Sequence, residues 1–388
     1  MYNAKRENIV STMNGPENRL YPLGQSAPSA AERSYYSFDT KRPKLGSCIW
    51  ISIVLFILFI LILIICLIVF FTLKPAYGTQ VSNSQNGPHL LVYNQPKLST
   101  HRDLLVADDL LELLQKNTGH LCLLDTAYFG SNYQQLYFEE HLKNSRHFDI
   151  RKALEKTPDG GEQLVHPLKF QAYARSLGLQ KDCHVILYDH GETEDSILSA
   201  TFAWWLFKVY SFERVSILNG GLGAWQRLAQ RNSNLELAVV ERGQPAPVVE
   251  GNFIAGWNAF WLSNYADTLE ALKKNRTVFL DARPTGHFTG QDRDQLAAKA
   301  GRIRGAINIP TETLLTKQGA FKQLPELKQE MKNKRISGNR PIIVYSNDAL
   351  QASALYFCTV QAGYSTKLFD GGWIEFSAKA PNYLIDLY

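Results

Sequence analysis

The chain has 388 residues, of which 45% are hydrophobic and 20% charged, with a net charge of +5. That length allows two domains plus appendages. A modest charge spread along the whole chain gives no basis for a nucleic-acid-binding role.

Residues 1–46 are polar, with Pro, Ser, Asn and Gly scattered through them and little periodicity. They are expected to form a disordered cytosolic tail. Residues 49–73 are 25 uncharged residues, nearly all Ile, Leu, Val or Phe. At about 1.5 Å of rise per residue such a helix exceeds the roughly 30 Å hydrocarbon core of a bilayer. A transmembrane helix over residues 47–73 is therefore expected. A buried core helix of this length would carry a polar face. The run also starts too late and lacks the small-residue cleavage site of a signal peptide. Lys41, Arg42 and Lys44 precede the run, and only Lys74 follows it closely. The positive-inside rule then places the N-terminus in the cytosol and the C-terminal part in a lumen or outside the cell. Residues 74–88, rich in Pro, Gly, Ser and Asn, are expected to form a stalk.

Beyond the stalk the sequence repeats itself. Leu123-Leu124-Asp125-Thr126-Ala127 returns as Phe279-Leu280-Asp281-Ala282-Arg283, and Val185-Ile186-Leu187-Tyr188-Asp189 as Ile342-Ile343-Val344-Tyr345-Ser346. Leu218-Asn219-Gly220-Gly221 returns as Phe369-Asp370-Gly371-Gly372, with Trp225 and Trp373 following. The offsets are 156, 157 and 151 residues, so order and spacing hold and two copies of one domain are expected. Within each copy, short β-branched runs alternate with helical patterns. One example is 185–188, then a helix near 199–210, then 215–218. That alternation predicts an α/β fold with buried parallel strands. The double glycines after strands predict turns with positive φ. A Gly- and Pro-rich connection over residues 241–256 separates the expected domains at 89–240 and 257–388.

Cys122, Cys183 and Cys358 are the cysteines of this region, an odd number without a Cys-x-x-Cys pair. They are expected to be buried thiols and not a disulfide framework. Asn275-Arg276-Thr277 is an N-glycosylation sequon, usable if this part of the chain is luminal. Glu192, Glu194 and Asp195 are read as a solvated surface loop, since carboxylates alone lack metal-ligand spacing here. No metal and no cofactor is implied.

These landmarks resemble the rhodanese family in its tandem form, the thiosulfate and 3-mercaptopyruvate sulfurtransferases. Phe148-Asp149-Ile150, Tyr173-Ala174-Arg175-Ser176-Leu177-Gly178, Trp204-Trp205-Leu206-Phe207 and Leu218-Asn219-Gly220-Gly221 carry the resemblance in the first half. Asp281-Ala282-Arg283, the stretch from Gly301 to Pro310, and Asp370-Gly371-Gly372-Trp373 carry it in the second. The resemblance covers about residues 89–388 and implies two tandem rhodanese-like domains with parallel sheets flanked by helices, here behind one N-terminal transmembrane helix. It also implies a loop in the second domain that opens with a cysteine. That thiolate, stabilised by converging N–H groups at a helix N-terminus, takes up sulfur as a persulfide, and two arginines hold the anionic substrate.

This chain keeps part of that pattern. Ser346 stands at the cysteine position and Arg283 at the first arginine, whereas His287 stands at the second. The loop continues as Asn347, Asp348, Ala349, Leu350 and Gln351, with Ala349 where the family has glycine and Gln351 where it has threonine. Asp189 stands at the equivalent place in the first domain, which the resemblance implies is non-catalytic. A hydroxyl does not form a persulfide, and without a base it is a weak nucleophile. His287 and Asp348 are the residues that would have to meet Ser346 in a hydrolytic triad, which is recognised by geometry and not by order. The expectation is a membrane protein whose tandem domain binds a partner protein or an anion, such as a small sulfur-containing one. The alternative is an active sulfurtransferase that uses another thiol.

Overall fold

A computed structural model describes residues 102–387 except 117–119, 129–132, 158–160, 192–195, 233–239 and 246, together with residues 56 and 58–63. The expected tail, stalk and most of the expected span lie outside the described residues. Residues 56 and 58–63 are helical and exposed. Among the described residues no helix is long and apolar enough to cross a membrane. The acidic run Glu192, Glu194 and Asp195 also lies outside them.

Two five-stranded parallel sheets organise the C-terminal part. The first contains β1 (Leu104–Leu105), β2 (Leu121–Asp125), β3 (Arg146–His147), β4 (His184–Tyr188) and β5 (Val215–Leu218) in the order β1-β5-β4-β2-β3. The second contains β6 (Leu262–Ser263), β7 (Val278–Asp281), β8 (Ile307–Asn308), β9 (Ile342–Tyr345) and β10 (Thr366–Phe369) in the order β6-β10-β9-β7-β8. Shifted by five, the two orders are the same, so the sequence repeat is a structural repeat. The central strands β4 and β9 are buried at every residue, which is why they read as unbroken apolar runs and not as alternation.

Among the described residues ten α-helices flank the sheets. Those of the first half are α1 (Ala107–Lys116), α2 (Tyr133–Glu139), α3 (Pro167–Ser176), α4 (Ser196–Val209) and α5 (Gly221–Arg231). Those of the second are α6 (Tyr265–Lys274), α7 (Thr285–Thr289), α8 (Leu324–Asn333), α9 (Ala349–Gln361) and α10 (Gly372–Lys379). All residues of α4 are buried, as expected for a helix apolar on every face. It packs on α9, where the Thr201 and Ser353 hydroxyls meet at 2.6 Å and the Trp204 and Phe357 rings meet edge to face at 5.0 Å. One apolar core therefore runs through both halves. The connecting segment is also bound down. Phe253 is buried, and the Gly251 and Phe253 N–H groups donate to the Arg175 and Leu179 carbonyls.

Two expectations need correction. Cys122 and Cys183 form a disulfide, with 5.8 Å between their Cα atoms, a separation that suits the bond. Parallel pairing of β2 with β4 sets Leu121 opposite His184 and so brings Cys122 beside the residue that precedes β4. Among the described residues only Cys358 is a free, buried thiol. Of the four glycines expected at positive φ, Gly220, Gly221 and Gly372 have it, but Gly371 is right-handed at φ −72°.

Candidate functional site

The loop between β9 and α9 carries the residues singled out from sequence. It leaves the sheet at the C-terminal ends of the strands, where open α/β sheets take ligands. Backbone contacts pin its start: the Ser346 carbonyl accepts the Trp373 N–H at 2.7 Å and the Asn347 carbonyl the Ile374 N–H at 3.2 Å. Gly372 makes this approach feasible. A Cβ there would sit 2.4 Å from the Asn347 carbonyl oxygen, and φ is +54°.

Ser346 is 2% exposed. Its hydroxyl donates weakly to the Gln351 side-chain oxygen at 3.4 Å, and no histidine hydrogen-bonds to it among the described residues. His287 lies on α7 with its Nδ1 buried and without a partner among the described residues. The triad geometry is thus not assembled, and among the described residues Ser346 has no histidine as a base.

The N-terminus of α9 is the natural seat for an anion. Here the Asp348 carboxylate takes that place, accepting the Gln351 N–H at 2.9 Å as the helix N-cap. Burial lifts the Asp348 carboxyl above the usual carboxylate range. The Gln351 N–H opposes this, while the charges of Glu162 and Asp294 reinforce it. Asn347 donates to Asp294 at 3.0 Å, and its own Oδ1 is buried without a partner among the described residues.

Arg283 is 2% exposed and committed elsewhere. Its Nε lies 3.0 Å from Asp281 Oδ1, and its Nη2 donates to Asp281 Oδ2 at 2.6 Å and to the Gly301 carbonyl at 2.8 Å. The guanidinium also stacks on the Trp373 ring at 4.7 Å. Burial works against its charge, but the hydrogen bonds and charge of Asp281 outweigh that and hold it above its ordinary value. The pair is charged and internally neutralised. Ser346, Asn347 and Arg283 are thereby gathered around Trp373. Asp294 and Glu162 were missed from sequence, because both come from irregular segments or a short ladder with no motif.

The first half repeats the frame with other side chains. Asp189 follows β4, and its carbonyl accepts the Leu222 N–H at 2.7 Å. Burial pushes its carboxyl up to about 7, against the Gly191 N–H and His190. His190 Nε2 lies 2.9 Å from Asp125 Oδ2. A cleft of about 480 Å³ opens here, lined by residues including His190, Gly191, Glu140, Gln226 and Arg242. Ser346 and Arg283 are not among its lining residues.

Among the described residues no free thiol lies at either loop. Cys122 and Cys183 are bonded to each other. Cys358 lies within α9, fully buried, and burial alone pushes its thiol far above the ordinary range.

Comparison with known proteins agrees with the repeat. The profile of the rhodanese-like domain matches residues 106–228 and 265–379. A 3-mercaptopyruvate sulfurtransferase of Escherichia coli is 32% identical over 251 residues, 64% of this chain and 84% of that protein. A thiosulfate sulfurtransferase of Bos taurus is 28% identical, covering 67% of this chain and 86% of that one. The crystal structure of an Escherichia coli 3-mercaptopyruvate sulfotransferase superposes with a TM-score of 0.59 at 29% identity, over 70% of this chain and 99% of that chain. With the profile matched in both halves and the same α/β architecture, this chain belongs to the rhodanese family, as a tandem pair of its domains.

Proposed function

We propose that this protein is a single-pass membrane protein whose tandem rhodanese-like unit binds a partner instead of transferring sulfur. Residues 1–46 form its cytosolic tail, residues 47–73 cross the membrane, and the unit beyond the stalk faces a lumen or the cell exterior. Ser346 stands at the position of the family's persulfide-forming cysteine, at the start of the loop between β9 and α9. A serine there carries no sulfane sulfur. The observation that carries this reading is that, among the described residues, no other thiol is in a position to take over: the cysteines there are a disulfide and one inert buried thiol.

The geometry also bears on what is bound. Asp348 already occupies the helix N-terminus, Asp281 already neutralises Arg283, and Glu162 and Asp294 add negative charge. These observations favour a partner protein over a thiosulfate-like anion held by Arg283, His287 and the N–H groups of residues 346–351. Purified full-length protein is expected to produce no thiocyanate from thiosulfate and cyanide, and no pyruvate from 3-mercaptopyruvate. Calorimetry is expected to register no thiosulfate binding. Turnover of either substrate would overturn the non-catalytic reading. Thiosulfate binding that Arg283→Ala abolishes would restore the anion pocket.

A further inference from the structure

We propose that Asn275 carries an N-linked glycan, held at the end of the second sheet opposite the Ser346 loop. The proposal rests on the membrane orientation above and is independent of whether sulfur transfer is lost. Asn275-Arg276-Thr277 is the sole Asn-x-Ser/Thr sequon of the chain, so any N-glycan reports on this residue. Its geometry suits a modified residue. Asn275 is exposed and ends α6 at φ 49°, a left-handed conformation that Asn adopts readily. Its side-chain amide makes no hydrogen bond among the described residues, whereas its backbone is held. Arg340 donates to the carbonyls of Asn275, Arg276 and Thr277 at 3.4, 3.2 and 3.1 Å. A glycan there costs no internal contact.

Position and compartment agree with this. The sequon leads directly into β7, and Arg340 lies just ahead of β9. β7 and β9 are parallel, so the sequon sits at their N-terminal ends and Ser346 beyond the C-terminal end of β9. The strands between span about 13 Å. A glycan would leave the loop face open to a partner. The Cys122–Cys183 disulfide is a separate sign of compartment, since such bonds persist where the environment is oxidising, as in the secretory lumen and outside the cell. In the modification, the Asn275 amide nitrogen attacks C1 of the first sugar of a lipid-pyrophosphate-linked oligosaccharide. A C1–N bond replaces the C1–O bond, the amide loses one proton, and the lipid pyrophosphate leaves.

The test is the full-length chain expressed in animal cells, treated with peptide N-glycosidase, with peptide mass spectrometry across residue 275. The expected result is a downward gel shift and conversion of Asn275 to aspartate. Asn275→Asp, which keeps the backbone preference, and Thr277→Ala should lose the shift, and Thr277→Ser should keep it. An unmodified Asn275 in the folded chain overturns the proposal. Protease added outside sealed microsomes separates the causes. A protected but unmodified C-terminal unit refutes glycosylation alone, and a digested one with free Cys122 and Cys183 refutes the orientation as well.

Discussion

In the first half β4 runs into Asp189, whose carbonyl accepts the Leu222 N–H; in the second, β9 runs into Ser346, whose carbonyl accepts the Trp373 N–H, both at 2.7 Å. Gly221 and Gly372 allow these approaches, each at positive φ with a carbonyl oxygen 2.1 or 2.4 Å from where a Cβ would lie. The backbone of the loop is thus built twice. The side chains around it differ in kind. Beneath the first loop lies Asp125 with His190, and burial pushes the Asp189 carboxyl of that loop up to about 7. Beneath the second lies Asp281 with Arg283, a buried ion pair. The repeat conserves a frame for presenting a residue at the tip of a strand, and that frame specifies neither the residue nor its charge.

The contrast can be broken most strongly at the buried pairs. Asp281→Ala leaves the Arg283 guanidinium buried without its partner, and the expected loss is about 4 kcal/mol. Asp125→Ala removes the hydrogen-bond partner of the His190 ring, and about 2 kcal/mol is expected. Urea unfolding of both variants checks this, and equal losses would erase the distinction between the halves.

A second effect is the pH dependence that Asp189 gives the first half. Asp189 keeps its proton in the folded state up to about pH 7, whereas the unfolded chain releases it near pH 4. The folded state binds more protons in that window, so stability contributed by this group is full below about pH 4 and falls as pH rises to about 7. Asp189→Asn should remove that slope and raise stability at neutral pH, by at most about 4 kcal/mol. A slope unchanged in this variant would place the titrating group elsewhere.

The smallest effect sharpens the claim that the loop frame is shared. Gly372→Ala and Gly221→Ala should each cost about 2 kcal/mol or more, combining strain at positive φ with a carbonyl that must move. Gly305, at φ +72°, has nothing within 4 Å of a Cβ, so Gly305→Ala should cost about 1 kcal/mol. Thermal unfolding of the three variants distinguishes close approach from backbone strain alone.

Much of this frame was legible in the sequence. The runs 185–188 and 342–345 are buried strands because they are apolar on both faces, and the double glycine that follows each in the same order exposed the repeat. Ser346 was visible as a hydroxyl at a loop position. What could not be read were relations across strands. The Cys122–Cys183 bond depends on parallel pairing between residues 61 apart, and the odd cysteine count argued against it. The commitment of Arg283 to Asp281 was hidden in plain view two residues away, since the same Asp-x-Arg spelling also suits an arginine aimed at a ligand. Asp294 reaches Asn347 from an irregular segment without periodicity, so nothing in the sequence linked them.

The most direct measurement is persulfide detection by mass spectrometry on the full-length protein after exposure to thiosulfate and to 3-mercaptopyruvate, beside Ser346→Cys and Ser346→Cys/Asp348→Ala. The account predicts no persulfide on the native chain. It predicts little on the single variant, where the Asp348 carboxylate holds the helix N-terminus, and more on the double variant, where those N–H groups are released to a thiolate. A persulfide on the native chain, at Cys358 or elsewhere, would contradict the account and make this protein a sulfurtransferase with a nucleophile outside the loop.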